Sequence, residues 1–167
     1  AAPDLKDKDY EKIIVLMGDH PLISTQTIQD LIDLHDSTQS AITMVTVMAP
    51  DFEGNNALFM HYGRVIRNAQ GTVDRIVEYK DASEAERLGK EVNFGTYCFD
   101  AKWLWANIDK LGNENAAQEY YLTDMIKMAI DQGKIVSAYV LKDMDESYGV
   151  NSPDQLKIAE EMLAKKI

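Results

Sequence analysis

Several residues of this 167-residue sequence combine a chemistry-bearing type with a position at the end of an element: Asp19, Gly63, Glu78, Asn93, Gly95 and Asn151. Asp19 stands in Gly18-Asp-His-Pro-Leu22, directly after the apolar run Lys12-Ile-Ile-Val-Leu-Met17. Gly18 and Pro21 stop that run. In open α/β sheets the carboxyl ends of strands face the ligand crevice, so a carboxylate here stands at its lip. Glu78, Asn93 and Asn151 add oxygen donors, and Gly63 and Gly95 let a ligand come close to the backbone. Such donors suit magnesium, which takes one or two protein oxygens and completes its shell with phosphate and water; Asp19 and the Asn151 amide could supply them. Each residue also has a plainer reading. Asp19 can bond its own turn amides, Glu78 can pair with Lys80 at the surface, and Asn93 and Asn151 can satisfy local backbone.

Other chemistries lack their residues. The glycines fall at 18, 54, 63, 71, 89, 95, 112, 133 and 149, without the spacing of a dinucleotide fingerprint or a Walker loop. His20, His35 and His61 lack the i, i+4 spacing of a helical zinc pair, and the single Cys98 rules out a thiolate cluster and an internal disulfide. There is no G-x-S-x-G elbow for a hydrolase nucleophile. Cys98 reads as a small core residue.

The elements that must position these residues follow from periodicity. Lys12 to Met17 is apolar without alternation, which predicts a strand buried on both faces of a mostly parallel sheet. Ser24 to His35 begins with cap-type residues and spaces Ile28, Leu31, Ile32 and His35 along one helical face. Ala41 to Met48 is β-branched and precedes Pro50, giving a β-α-β unit whose two strands should run parallel. Tyr62 to Arg67 and Val73 to Tyr79 read as a hairpin across Asn68-Ala-Gln-Gly71, so the sheet becomes mixed. Asp81 to Leu88 is a short charged helix or lid. In Val92 to Phe99, Asn93, Gly95 and Tyr97 share one face, while Val92, Phe94, Thr96 and Cys98 share the other. Gly95 there marks either a bulge or a close approach to a ligand. A helix over 101–110, a polar loop over 112–118, a helix capped by Thr123 and stopped at Gly133, and a strand over 135–141 complete the body. Ser152-Pro-Asp-Gln155 opens the last helix.

With 28 acidic and 17 basic residues the formal charge is −11. No basic patch exists to release counterions, which argues against nucleic acid and anionic membrane as partners. A phosphorylated ligand would need a cation's help. No apolar run has the length of a membrane span or the form of a signal peptide, so a cytoplasmic location is expected. Ala1 to Lys8 reads as a linker, as of a chain cut upstream.

Gly18-Asp-His-Pro-Leu22, Tyr62-Gly-Arg64, Ile76 to Ala82, Asn93-Phe-Gly-Thr-Tyr97, Glu119-Tyr-Tyr-Leu-Thr-Asp124 and Gly149-Val-Asn-Ser152 stand in order across nearly the whole chain. Together they resemble the sugar-nucleotide pyrophosphorylases, most of all the uridylyltransferase domain of the bacterial enzymes that also carry an acetyltransferase. The resemblance implies a three-layer α/β/α, Rossmann-like nucleotidyltransferase domain with a mixed sheet. It implies magnesium at Asp19 and Asn151, and contacts from Gly63, Glu78, Asn93 and Asn151 to the N-acetylglucosamine part of a nucleotide sugar. The implied reaction joins N-acetylglucosamine 1-phosphate to UTP, releasing pyrophosphate, with no protein nucleophile. Two alternatives stand beside it: a non-catalytic sugar-nucleotide binding module, and a sister enzyme for another sugar 1-phosphate.

The sequence departs from the family at several points. The Gly-rich triphosphate loop and the uracil-binding segment that precede the Asp19 strand in the family are not in this sequence, and neither is the acetyltransferase. His20, Phe94 and Gln118 replace a small or apolar residue, a threonine and a glycine. Residues 1–11 are then a lead-in, 12–152 the sheet and sugar-binding part, and 153–167 the start of a connecting helix. Little turnover is expected from the chain alone. An apolar strand left at a sheet edge predicts pairing with another chain, either a second copy or the missing half.

Overall fold

The computed structural model describes residues 5, 6 and 8–165; most of the expected Ala1 to Lys8 linker lies outside them. Its centre is the ten-residue strand β5, Glu91–Asp100. Along one side of β5 runs β2 (Ile42–Met48), antiparallel to it and parallel to the outer strand β6 (Val136–Val140). The other side is shared. β3 (Arg64–Arg67) meets β5 near its start, at Val92, and carries β4 (Val73–Val77) in a hairpin; β1 (Lys12–Val15) covers residues 97–100 of β5. β1 therefore ends, and β3 begins, on either side of Gly95.

Helices cover both faces. On one, Leu31 of α1 (Thr25–Thr38) packs with Val45, Val47, Val92, Phe94, Cys98 and Phe59, the last from a 3₁₀ helix over Gly54–His61. On the other, Trp103 and Leu104 of α3 (Ala101–Asn107) and Met125, Ile126 and Ala129 of α4 (Asp124–Asp131) pack on Ile42, Met44, Tyr97 and Phe99. This is the expected three-layer arrangement around a mixed sheet. α2 (Glu84–Arg87) is the short charged helix, closed by a Ser83–Glu86 capping box. In α5 (Pro153–Ala164) Ser152 accepts the Gln155 amide, with Pro153 in the first turn.

Two expectations about the first strand are corrected. β1 stops at Val15 and is only partly buried, with Ile14 36% exposed, and the apolar residues that follow it are more exposed still, Leu16 at 49% and Met17 at 46%. The sheet around it is not mostly parallel: β1 runs parallel to β2 as expected, but both pair antiparallel with β5, which lies between them, and among the described strands only β2 and β6 pair in parallel. An apolar run with no alternation marks a strand that can be covered on both sides. It does not say which neighbours are present to cover it.

Candidate functional site

The gap between β1 and β3 opens into a cleft of about 360 Å³. Asp19 and His20 enter from the turn after β1, Tyr62 and Gly63 from the start of β3, Glu78 from the end of β4, and Asn93, Phe94, Gly95 and Tyr97 from β5. Tyr120, Tyr121, Leu122 and Thr123 close it from the approach to α4. Five of the six residues singled out from sequence, Asp19, Gly63, Glu78, Asn93 and Gly95, thus line a single cavity.

Gly95 gives the cleft its floor. Met44 pairs with Tyr97 but Thr46 pairs with Asn93, so two extra β5 residues are accommodated where Gly95 takes φ +84. Bulge and close approach coincide here. A Cβ on Gly95 would lie 2.8 Å from Met17 Cγ. The bulge turns Asn93 back on its own strand, and Asn93 Oδ1 accepts the Gly95 amide at 3.1 Å and the Tyr97 hydroxyl at 2.9 Å. Burial pushes the Tyr97 phenol up, so it stays a donor.

Glu78 is held by the Thr123 hydroxyl, which donates to Oε1 at 2.9 Å. Thr123 was expected to cap α4. It stands at the cap position with helical angles, φ −62 and ψ −24, makes no capping bond, and gives its hydroxyl to Glu78. Burial raises the Glu78 carboxyl, and Asp124 and Asp81 raise it further, against the Thr123 bond. Gly63 lies against this group: a Cβ there would sit 2.9 Å from Ile76 Cγ2 and 3.2 Å from Glu78 Oε1.

Around Asp19 the packing is aromatic. The His20 ring, 7% exposed, lies on Phe94 with centroids 4.6 Å apart, and Nε2 meets the Tyr62 hydroxyl at 3.2 Å. Nδ1 faces Asp19 Oδ1 at 3.7 Å. Burial pushes the imidazole down against the pull of Asp19, and the same burial pushes the Tyr62 phenol up to about 12.

Asn151 does not line the cleft, and it is exposed. The Val150 amide donates to the Asp19 carbonyl at 2.8 Å, which puts the 149–151 segment beside Asp19, while the Asn151 amide donates to Gln155 Oε1 at 2.7 Å. Its main chain serves the start of α5. Among the described residues no group of three or more His, Cys, Asp or Glu could hold a metal unaided. Asp19 and Asn151 are hard oxygen donors on adjoining loops, which fits an ion that completes its shell with phosphate oxygens and water. Among the described residues no lysine or arginine lines the cleft.

His20, Tyr62, Tyr97, Thr123 and the Tyr120–Leu122 stretch were not named as site residues from sequence. All lie inside the recurring motifs, which was the available signal. Arg64 supports the site from beneath. It is 1% exposed, and its guanidinium donates to the carbonyls of Phe59, Met60, Tyr62 and Arg87, fixing the end of the 3₁₀ helix from which Tyr62 and Gly63 enter the cleft.

The site is a cleft between strand ends of a mixed sheet, with Asp19 at its lip and Glu78 and Asn93 within it. The chain belongs to the nucleotidyl transferase family, whose model matches residues 2–149. It is 44% identical over 167 residues to the bifunctional protein GlmU of Geobacillus sp. (strain WCH70) and 43% identical over 167 residues to that of Brevibacillus brevis (strain 47). All of this chain is matched in both, and it spans 35% and 34% of their lengths. Among solved structures it superposes on CMP:2-keto-3-deoxy-manno-octonic acid synthetase with a TM-score of 0.64 at 12% identity, covering 99% of this chain and 67% of that one. A putative glucose-1-phosphate thymidylyltransferase from Bacillus anthracis gives 0.62 at 13%, covering 96% and 57%. These two share the fold. Among the described residues no helix is long and apolar enough to cross a membrane.

Proposed function

We propose that this chain is the sugar-binding and metal-binding part of a cytoplasmic, magnesium-dependent uridylyltransferase that joins N-acetylglucosamine 1-phosphate to UTP, giving UDP-N-acetylglucosamine and pyrophosphate. The observation that carries this reading is the convergence of Asp19, Gly63, Glu78 and Asn93 on one cleft; the relation to GlmU supports the choice of sugar and base. Glu78 has Oε1 taken by Thr123 and offers Oε2 to a sugar hydroxyl, while Asn93, with Oδ1 committed to its own strand, offers its amide NH₂. Gly63 leaves room for the sugar beside Glu78.

The sugar phosphate would attack the α-phosphorus of UTP in line, forming one P–O bond as the bond to pyrophosphate breaks. Such a step needs held reactants and balanced charge, not a protein nucleophile. Cys98 is buried on the opposite face of the sheet with its thiol pushed up to about 11, which keeps it out of the chemistry. With two carboxylates and, among the described residues, no lysine or arginine lining the cleft, phosphate charge is left for a cation to neutralise. Asp19 and Asn151 would hold magnesium, which when bound supplies that neutralisation.

Calorimetric titration with UDP-N-acetylglucosamine and magnesium tests the reading. Weak binding by the unaltered chain, abolished by Glu78→Ala and by Asn93→Ala, is the expected result. Binding that survives both substitutions, or no binding at all, would overturn the assignment of the pocket. A panel of other nucleotide sugars decides between this enzyme and one acting on a different sugar 1-phosphate.

A further inference from the structure

His20 is the residue that the proposed chemistry leaves unused. It is 7% exposed, it lines the cleft, and its Nδ1 is a buried polar atom with no hydrogen-bond partner among the described residues. Every neighbour of the ring belongs to a different wall of the site. Phe94 of β5 packs on it with the two rings tilted by 33°, Tyr62 meets Nε2, and Asp19 Oδ1 stands 3.7 Å from Nδ1. Gly149 closes the remaining side, where a Cβ would lie 3.1 Å from Nε2 and 3.3 Å from Cδ2. The ring is thus wedged between the Asp19 turn and the loop that leads to Asn151, and the Val150 amide bonds the Asp19 carbonyl across the same junction.

The hydrogen-bond roles follow from the neighbours. A phenol can donate as well as accept, so Tyr62 can present its proton to Nε2; a carboxylate can only accept, so the nitrogen facing Asp19 must be the one that carries hydrogen. We infer that His20 is a positioning residue: through an Nδ1–H aimed at Asp19 it orients that carboxylate, and through its ring it sets the distance between the Asp19 and Asn151 loops. Ligating carboxylates need such outer hydrogen bonds to hold their orientation. An approach of about 0.5 Å or more would bring Nδ1 from 3.7 Å to bonding distance. The inference rests on the assignment of Asp19 and Asn151 as cation ligands made above, and its first test stands apart from that assignment.

That first test is ¹⁵N NMR of the histidine rings in the full chain without metal. The expected result is His20 as the Nδ1–H tautomer, with its Nδ1 signal displaced in Asp19→Ala. An Nε2–H tautomer, or an Nδ1 signal indifferent to Asp19→Ala, overturns the inference. The second test is Mn²⁺ binding followed by electron paramagnetic resonance. His20→Phe keeps a ring against Phe94 and removes the donor, so affinity should fall about tenfold. His20→Asn returns an amide N–H near the Nδ1 position and should recover most of that loss. Equal affinity in the unaltered chain and His20→Phe would overturn the positioning role. Absence of Mn²⁺ binding in the unaltered chain would instead count against the ligand assignment, and the tautomer would then decide the fate of the Nδ1–H contact.

Discussion

The Thr123 hydroxyl donates to Glu78 Oε1 at 2.9 Å, joining the start of α4 to the end of β4 across the cleft. Among the described residues this is the one side-chain hydrogen bond to a half-buried carboxylate whose charged neighbours, Asp124 and Asp81, are acidic. Glu78 is therefore in an environment that disfavours its own charge, a state a ligand hydroxyl would relieve.

Glu78→Gln should stabilise the fold and remove sugar binding. The folded-state carboxyl titrates above its ordinary value of 4.5. Its favourable contribution is therefore complete below that pH and is lost as pH rises through the raised folded value. Glutamine does not titrate, so the stability advantage of the variant should be absent in acid and grow to about 0.5–2 kcal/mol at pH 7. Denaturant melts at pH 4 and pH 7 check it; an advantage independent of pH would mean that charge burial is not its cause.

Gly63→Ala should cost binding more than folding. Its Cβ would press on Ile76 Cγ2 at 2.9 Å and on both Glu78 carboxylate oxygens at 3.2 and 3.3 Å, displacing the carboxylate from where a sugar hydroxyl would meet it. Affinity for UDP-N-acetylglucosamine should fall at least tenfold, with the thermal midpoint lowered by no more than a few degrees. Calorimetry and a melt on the same sample separate the two effects.

Much of this arrangement was legible in the sequence because local chemistry and global position agreed. Ser152-Pro-Asp-Gln155 marked a helix start that the structure reproduces in its cap, Ser152 Oγ accepting the Gln155 amide with Pro153 in the first turn, while the Gln155 side chain bonds the Asn151 amide and not that of Ser152, and the period-two reading of residues 92–99 put Cys98 and Phe94 on one core face and Tyr97 on the other. Where the reading failed, the missing fact was long-range. Nothing near Thr123 says that its hydroxyl is claimed by Glu78, 45 residues away. Nothing near Lys12 says that β5 will separate β1 from β2. Asn151 shows the same limit: sequence supplied its type and its place before a cap, but the direction of the cleft is set by the β1–β3 gap.

Arg64 is the strongest single test of the scaffold beneath the site. Its guanidinium is buried without a carboxylate and satisfied by backbone carbonyls of residues 59, 60, 62 and 87, and it lies over the Phe52 ring at 4.6 Å. Arg64→Met fills similar volume but strands several of those carbonyls, at about 1–3 kcal/mol for each group left dry. The variant should lose about 3 kcal/mol of stability, or roughly 6–12 °C in a chain of this size. A melt unchanged within 2 °C would show that water takes over the carbonyls and that the 3₁₀ turn does not need the arginine.

The free side of β1 carries the last prediction. Among the described residues β1 pairs with β5 alone, and its apolar run continues into Leu16 and Met17, both nearly half exposed, with Tyr10 at 47% just before it. An unpaired strand edge with this much exposed apolar surface is a template for another strand. No lysine, proline or bulge within Ile13 to Met17 guards it. Light scattering at working concentration should therefore show a dimer or larger species. Ile14→Lys with Leu16→Glu should shift the chain toward monomer, because a charge on an edge strand opposes pairing at that edge, while leaving the melt within a few degrees since both side chains are already exposed. A clean monomer for the unaltered chain would mean that the twist of β1 along β5, or the segment before it, already protects the edge.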